Sequence, residues 1–393
     1  MGKTFLIGQL ERFGDCLFAT TLAKQIQHDH PESRITWAVL SKYKSILELN
    51  PDIDEIWEII PTSEDYYGSV WNEFETEALK RQADGEFDKI IFSQISPRNW
   101  IRYNGTIRGT ILSAYEKPIT VSVEPVVRLS DPEVENVKNF AEKYNLASFK
   151  NVILFECAPS SEQSKVNIEF ALKVADEITQ REKETCIILT TTQKLNLANP
   201  NIIDASELSF RENAELTKYC NLLIGCSSGI TWLSTSDWAK KLPMIQLLSA
   251  DLWIFAGVHY DFQINHLDNS QIVEMIEFNE RKTVECVLSV IENGVSETKP
   301  KFHQDYQPGY FDLKNNTKGL IGGKENLGEI VKFIKNYVEK NQESGNQISA
   351  KYLYLILYTY IYGFFYRNIQ ATETGLFFYL RKIFKAILWK KSH

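Results

Sequence analysis

The sequence predicts an α/β fold of two doubly wound parallel-sheet domains facing each other across a cleft, with an amphipathic helical tail behind them. Short apolar runs alternate with helix-like segments in both halves, the rhythm of a parallel sheet covered on both faces. The rhythm breaks once, near the middle, and then restarts. A last stretch of aromatic and basic residues follows neither pattern. The chain has 393 residues, 44% hydrophobic and 24% charged, which is ample apolar material for more than one core.

The first half opens on the apolar run Thr4 to Gly8, then the turn QLERFGD, then a segment whose Phe18, Leu22 and Ile26 recur at helical spacing. Strands are expected over Ile35 to Leu40, Ile53 to Ile60 and Lys89 to Phe92, with a short helix around Ser45 to Leu49. Between Val121 and Asp131 the run VSVEPVVRLSD loses periodicity and carries proline, which marks the crossing between domains. The second half repeats the pattern. Strands are expected at Asn151 to Cys157, Thr185 to Thr191, Asn221 to Gly225 and Met244 to Leu248. Helices are expected at Val166 to Arg181, Arg211 to Tyr219 and Glu325 to Lys340, the last with Leu327, Ile330, Val331, Ile334 and Val338 on one side. The expected domains are therefore 1–125 and 126–345, each Rossmann-like, followed by a tail over 346–393.

In the tail, Tyr352 to Tyr366 reads YLYLILYTYIYGFFY, too short for the ~20 residues of a spanning helix. Beyond it, Phe377, Phe378, Leu380, Ile383 and Trp389 mix with Arg381, Lys382, Lys385, Lys390 and Lys391. Tyr and Trp favour the headgroup level and lysines beside an apolar face attract anionic lipid, so 348–393 is expected to lie in a membrane interface. Two tail helices packed on the protein body, or held in a partner's groove, would explain the same composition.

The formal net charge is −8, which argues against a nucleic-acid binder, since phosphate neutralisation needs a basic face. The six cysteines include no C-x-x-C pair and no zinc spacing; most lie in apolar runs, as reduced buried thiols do in a cytosolic protein. No basic start with a long apolar stretch marks a signal peptide, and Gly2 lacks the Ser or Thr of a myristoylation site.

Chemistry concentrates first in Leu6 to Ile26. A strand ends in a loop that supplies Gly14 for a tight turn and Asp15 at the mouth of the next helix. In an open α/β sheet the carboxyl end of the first strand borders the ligand crevice, so Asp15 faces the expected active site. The plainer alternative makes Asp15 an N-cap that accepts amide hydrogens from Leu17 or Phe18.

This run resembles the opening of glycosyltransferase family 9, the lipopolysaccharide heptosyltransferase-like enzymes. The resemblance continues through Pro31, Ser33, Ile35 and Trp37, which match a P-x-A-x-I-x-W strand, and Asn50, Pro51, Ile53 and Asp54, which match an N-P-x-I-D turn. Three stations in order over about the first sixty residues are far more specific than a lone Gly-Asp pair. The resemblance implies a GT-B fold, with the acceptor bound by the first domain and a nucleotide-sugar donor by the second. It implies Asp15 as general base, with Arg12 and Gly14 beside it on the acceptor side. In the second half, Ser160, Ser161, Ser164 and Lys165 stand where the family has a phosphate-contacting Ser and Lys. A lysine there offsets charge building on a departing diphosphate; an ordinary solvated lysine at a helix start is the alternative.

The family's later D-T-G-x-x-H-x-A appears as Ser227, Ser228, Gly229, Ile230, Thr231, Trp232, Leu233 and Ser234, with Ser227 for Asp and Trp232 for His. Ser227, Ser228, Gly229 and Thr231 are expected to meet donor phosphate oxygens with helix-start amides and hydroxyls, although turn chemistry would also account for Gly225 and Gly229. The implied activity is inverting transfer of heptose or a related sugar from a nucleotide-diphosphate sugar to a lipid-linked or lipopolysaccharide-type glycan. The implied place is the inner face of the cytoplasmic membrane. No metal and no cofactor are expected beyond the nucleotide sugar as co-substrate.

Other candidates read as structural. Asp52 and Asp54 form a D-x-D but fall in the N-P-x-I-D turn, where turn and capping roles suffice. His28 and His30 precede Pro31 near a helix end. No H-E-x-x-H, G-x-S-x-G or Walker sequence is present, and no G-x-G-x-x-G follows the first strand. Two rival functions stay open: a non-catalytic nucleotide-sugar or glycan-binding protein of the same fold that docks at the membrane, and a GT-B epimerase.

Overall fold

The structure, a computed structural model, describes residues 2–61, 66–159, 163–249, 255–322 and 325–343, together with Leu355 and Ile361. It separates into two compact units, Met1–Asn99 with Thr106–Gln307, and Trp100–Gly105 with Pro308–His393. Both sheets belong to the first unit.

The first sheet has four parallel strands: β1 (Thr4–Gly8), β2 (Arg34–Leu40), β3 (Glu55–Ile59) and β4 (Lys89–Phe92). Their order is β3-β2-β1-β4. β1 is followed by α1 (Phe13–Asp29), and α2 (Trp71–Ala83) precedes β4. The apolar runs of β1 and β2, inside the sheet, are buried along nearly their whole length, as central parallel strands are, whereas β3 at the edge is half-exposed. Leu6, Ala38 and Leu40 pack with Trp71, Phe74 and Ala78 of α2, and Cys16, Leu17, Phe18, Ala19, Leu22 and Ile26 of α1 are buried. Each such aliphatic or aromatic side chain contributes about 1.5–3 kcal/mol on burial. The segment expected as a helix at Ser45 to Leu49 is instead a 3-10 turn over Ser41–Leu47.

α3 (Ile107–Leu112) is capped by the Thr106 side chain, which accepts the Gly109 amide. Residues 121–130 then run without regular structure into α4 (Asp131–Lys143), which opens on a capping box of Ser130 and Glu133 with proline in its first turn.

The second sheet has six parallel strands: β5 (Asn151–Glu156), β6 (Thr185–Thr190), β7 (Ile202–Asp204), β8 (Leu222–Gly225), β9 (Met244–Leu247) and β10 (Ile272–Met275). Their order is β10-β9-β8-β5-β6-β7. Between them lie α5 (Ile168–Arg181), α6 (Glu212–Leu216), α7 (Gly229–Leu233) and α8 (Val258–Ile264), and α9 (Glu280–Phe302) follows β10. A core of Ile153, Phe155, Val174, Ile178, Ile187, Ile224, Ile245 and Val287 joins this sheet to α5 and α9. α9 is two helices joined at Gly294, whose φ of 79° only glycine adopts readily.

In the second unit, α10 (Tyr310–Gly322) is followed by α11 (Leu327–Glu343). α11 buries Ile330, Phe333, Ile334, Tyr337 and Val338, and Tyr103 stands 6.3 Å from the Tyr337 ring. α11 thus packs on the short segment 100–105 that belongs, in sequence, to the first half. Among the described residues no helix is long and apolar enough to cross a membrane. The expectation for 346–393 falls outside the described residues, save Leu355 and Ile361.

Candidate active site

In each sheet the strand order reverses beside its first strand, between β1 and β4 and between β5 and β8. Open α/β sheets bind ligands in the crevice outside the carboxyl ends of the strands at such a point. Asp15 and Ser227 both follow from these two places.

At the β1 end the chain leaves the sheet through a buried polar network. Gln94 Oε1 accepts from Gln9 Nε2 at 2.8 Å and from the Leu10 and Glu11 amides at 3.0 and 3.3 Å. Ser93 Oγ donates to Gln9 Oε1, and Trp37 Nε1 donates to the Gln9 carbonyl. The loop ends at Arg12, whose φ of 69° and ψ of 117° are rare for a residue with a Cβ. The Arg12 carbonyl accepts the Cys16 amide at 2.9 Å and so starts α1.

Asp15 lies inside that first turn, while the N-cap position belongs to Arg12, which makes no side-chain cap bond. The carboxylate is therefore not the cap of its helix. Part of Asp15 remains accessible, yet its surroundings are dense. Desolvation raises its pKa from 3.8 to about 7, Arg12 pulls it down and Glu11 pushes it up. Burial also raises Glu11, against the attraction of Arg12 and Lys42. A carboxyl that titrates near neutrality at the carboxyl end of the first strand suits proton abstraction. Arg12 is exposed and Gly14 half-buried.

At the β5 end the central group is Glu156, which is 2% exposed. Its carboxylate accepts the Cys226 amide at 2.8 Å, the Ile230 amide at 2.9 Å and the Thr231 hydroxyl at 2.6 Å. Gln246 Oε1, on β9, accepts the Ser227 amide at 3.0 Å. The turn after β8 is thus fastened from beneath by two side chains of neighbouring strands. Desolvation raises the Glu156 pKa, and these hydrogen bonds oppose the rise. Ser227 has a φ of 52° and a buried Oγ without a partner among the described residues. The Ser228 and Gly229 amides donate to no acceptor among the described residues.

The expected donor-side residues are therefore placed differently from one another. Ser164, Ser227, Ser228, Gly229 and Thr231 gather at the carboxyl ends of β5, β8 and β9; Ser164 hydrogen-bonds the Cys226 thiol and holds the Val166 amide. Thr231, however, spends its hydroxyl on Glu156. Lys165 is exposed, two residues before the Asn167 cap of α5. Ser160 and Ser161 lie outside the described residues.

The two ends meet. Phe13, opening α1, stacks on Phe210, which precedes α6, with centroids 4.4 Å apart, and packs edge-on against Tyr43 at 4.9 Å. A Cβ on Gly14 would lie 3.3 Å from Trp232 Cδ1, and one on Gly229 would lie 2.9 Å from the Phe210 ring. Trp232 packs edge-on against Phe18 at 4.7 Å and donates its Nε1 hydrogen to the Ser227 carbonyl. Next to Phe210, Arg211 is 3% exposed and reaches Glu133 with two nitrogens and the Ser45 and Glu48 carbonyls with a third. Beneath Phe18 and Trp232 lies a fully buried ion pair, Arg108 Nε to Asp261 Oδ2 at 3.1 Å, with the guanidinium 4.7 Å from the Phe18 ring.

The sequence singles out Asp15 and the Ser227 to Thr231 turn, and it gives no place to Gln9, Gln94, Glu156, Gln246, Arg108 and Asp261, which the structure puts around them. Glu156 and Gln246 did carry a signal, as lone polar residues inside the apolar runs NVILFEC and MIQLL. Buried strand positions tolerate such groups only when they are hydrogen-bonded.

One group among the described residues could hold a metal ion, His259, His303 and Asp305, with ligand atoms within 4.8 Å of one another. Its chemistry fits poorly. His303 Nδ1 accepts the Glu274 amide at 3.0 Å, so in the neutral ring Nε2 carries the proton and has no lone pair for a cation. Desolvation, helped by the charge of Lys299, lowers the His259 pKa, and desolvation together with His259 and Lys299 brings His303 to about 4. Asp52 and Asp54 behave as turn residues: Asn50 Oδ1 accepts the Asp52 amide, and Asp54 Oδ2 accepts the Ile35 amide at 2.7 Å.

No protein-family model matches the chain, and no curated protein does. Solved structures do. A family 9 glycosyl transferase from Veillonella parvula matches 75% of this chain and 93% of its own, at a TM-score of 0.51 and 16% identity. The ADP-heptose lipopolysaccharide heptosyltransferase II of E. coli matches over 74% and 98%, at a TM-score of 0.50 and 12% identity. At such identities the likeness is one of fold: two parallel sheets with flanking helices in the GT-B arrangement, the fold of the family 9 glycosyltransferases.

Proposed function

We propose that this chain is an inverting, metal-independent glycosyltransferase that moves heptose or a related sugar from a nucleotide-diphosphate donor to a lipid-linked or lipopolysaccharide-type glycan. The observation that carries this reading is Asp15, a carboxyl poised near neutral pKa at the β1/β4 switch point, in the turn that abuts α7 of the other half. Asp15 takes the proton of the acceptor hydroxyl as that oxygen attacks the anomeric carbon; the anomeric bond to the diphosphate breaks and the configuration inverts. Arg12 and Gly14 border the acceptor. On the donor side the amides of Ser228 and Gly229 and the hydroxyl of Ser227 offer hydrogen bonds to the leaving diphosphate, while Lys165 and Ser164 flank the same strand ends. Thr231 acts at one remove, by fixing the turn through Glu156. The tail at 346–393 places the reaction at the inner, anionic face of the cytoplasmic membrane; its composition is the support for this.

A second reading has its own observation. The Glu156 carboxyl already takes the Ile230 amide and the Thr231 hydroxyl at the α7 start, and Trp232 stands where the family has histidine. A chain that kept the fold for binding alone would tolerate both changes. Incubation with a panel of nucleotide-diphosphate sugars separates the two: slow sugar release that requires Asp15 supports transfer, and binding without any release supports the binding protein.

A further inference from the structure

The placement of Asp15 depends on the loop that carries it, and that loop is held from the β4 side. β1 and β4 pair in register to Gly8 and Phe92 and then part. Beyond that point the amides of Leu10 and Glu11 have no strand to pair with. Oε1 of Gln94 takes both, and takes Gln9 Nε2 as well, three donors on one oxygen that is shielded from solvent, Gln94 being 2% exposed. Gln9 Nε2 reaches on to the Glu11 carbonyl at 3.1 Å. Gln94 is itself held, because Asn99 Nδ2 donates to its carbonyl at 2.9 Å. Three of these bonds fall on Leu10 and Glu11, the two residues before Arg12, and the positive φ of Arg12 is a conformation that a residue other than glycine adopts only under strain. Such a turn persists only where its surroundings over-determine it, and here they do.

We propose that Gln94 is a positioning residue for Asp15: through Leu10, Glu11 and Gln9 it fixes the strained turn at Arg12, and with it the place and hydration of the Asp15 carboxylate. Among the described residues, Glu11, Arg12 and the Cys16 thiol act on that carboxylate from its own segment, and Lys42 and Tyr43, from the turn after β2, act on Glu11 and Arg12 in turn. The inference rests on the reading of Asp15 as the base for its meaning in catalysis, but the physical link is measured without any substrate.

In the full chain labelled with carboxyl-13C aspartate, the Asp15 resonance, assigned by its loss in Asp15→Asn, is titrated by NMR. The wild-type midpoint is expected near 7. Gln94→Met keeps the length of the side chain and removes the acceptor; the midpoint is expected to fall by about one unit or more as water reaches the carboxylate. Gln94→Glu restores acceptor oxygens and is expected to return the midpoint to the wild-type value or above it. An unmoved midpoint in a Gln94→Met protein that melts cooperatively would overturn the proposal. Should that variant not fold, hydrogen exchange in the wild type decides: Leu10 and Glu11 amides protected like those of Leu6 and Ile7 support it, and open-loop exchange rates overturn it. A protein that turns over no donor yet shows the Gln94 effect would sink the transferase reading and leave this one standing.

Discussion

Phe13 and Phe210 stack with planes 19° from parallel and centroids 4.4 Å apart, which fastens the turn bearing Asp15 to the segment leading into α6. Stacked pairs of this kind add about 0.5–1.5 kcal/mol beyond their buried area. The contact also defines the space at Gly229, since the Phe210 ring lies where a side chain there would begin.

Gly229→Ala should therefore destabilise the fold by on the order of 1–2 kcal/mol, because the new Cβ meets a ring already pinned by Phe13. Phe210→Leu added to it should recover part of that loss. Urea unfolding of the two single variants and the double variant checks this; strictly additive losses would mean the ring and the glycine are not coupled.

Glu156→Ala should cost on the order of 2–4 kcal/mol, since it strands the Cys226 and Ile230 amides and the Thr231 hydroxyl in a buried site. Glu156→Gln keeps one acceptor oxygen and should cost less. Equal losses for the two substitutions would show that the side chain fills space without fastening the turn.

Arg108→Met should cost about 3–5 kcal/mol by leaving Asp261 buried without its cation. The loss should depend on pH in a definite sense. Desolvation outweighs the attraction of Arg108 and lifts the Asp261 pKa from 3.8 to about 6. The folded state thus takes up the proton before the unfolded one, so this group favours folding most below 4, and the benefit is lost as pH rises through 6. Without Arg108 the folded pKa climbs further, and the decline in stability should extend toward neutral pH. Unfolding curves at several pH values would show it, and a variant whose decline matches the wild type would contradict it.

Removal of 348–393 should release the protein from vesicles that contain anionic lipid, while neutral vesicles should bind neither form. Co-sedimentation of the truncated chain with anionic vesicles would refute a membrane role for the tail.

Much of the sheet architecture is legible in sequence because buried parallel strands are near-continuous apolar runs, as in TFLIG, NVILFE and TCIILT. Helix α2 was missed: in WNEFETEALKRQA only Trp71, Phe74 and Ala78 are buried, a stripe too narrow to stand out among the charges. β7, at three residues, is shorter than the pattern can resolve, and the four residues of β10 are interrupted by a charged one, Glu274. At the site, the Gly14-Asp15 turn follows from local order along the chain. The Gln9–Gln94 network does not, because its partners lie 85 positions apart and meet only when β1 pairs with β4. The same holds for Glu156, whose role depends on a turn 70 or more residues later.

The pH dependence of sugar release from a nucleotide-diphosphate donor, compared between wild type and Asp15→Asn, bears most directly on the central claim. A base must be ionised to act, so turnover should rise with pH through a midpoint near 7. Asp15→Asn should abolish it while remaining folded, and above neutral pH it should be more stable by on the order of 2 kcal/mol, because the desolvated charge is gone. Undiminished turnover in Asp15→Asn, with the same dependence on pH, would contradict the assignment of Asp15 as the base.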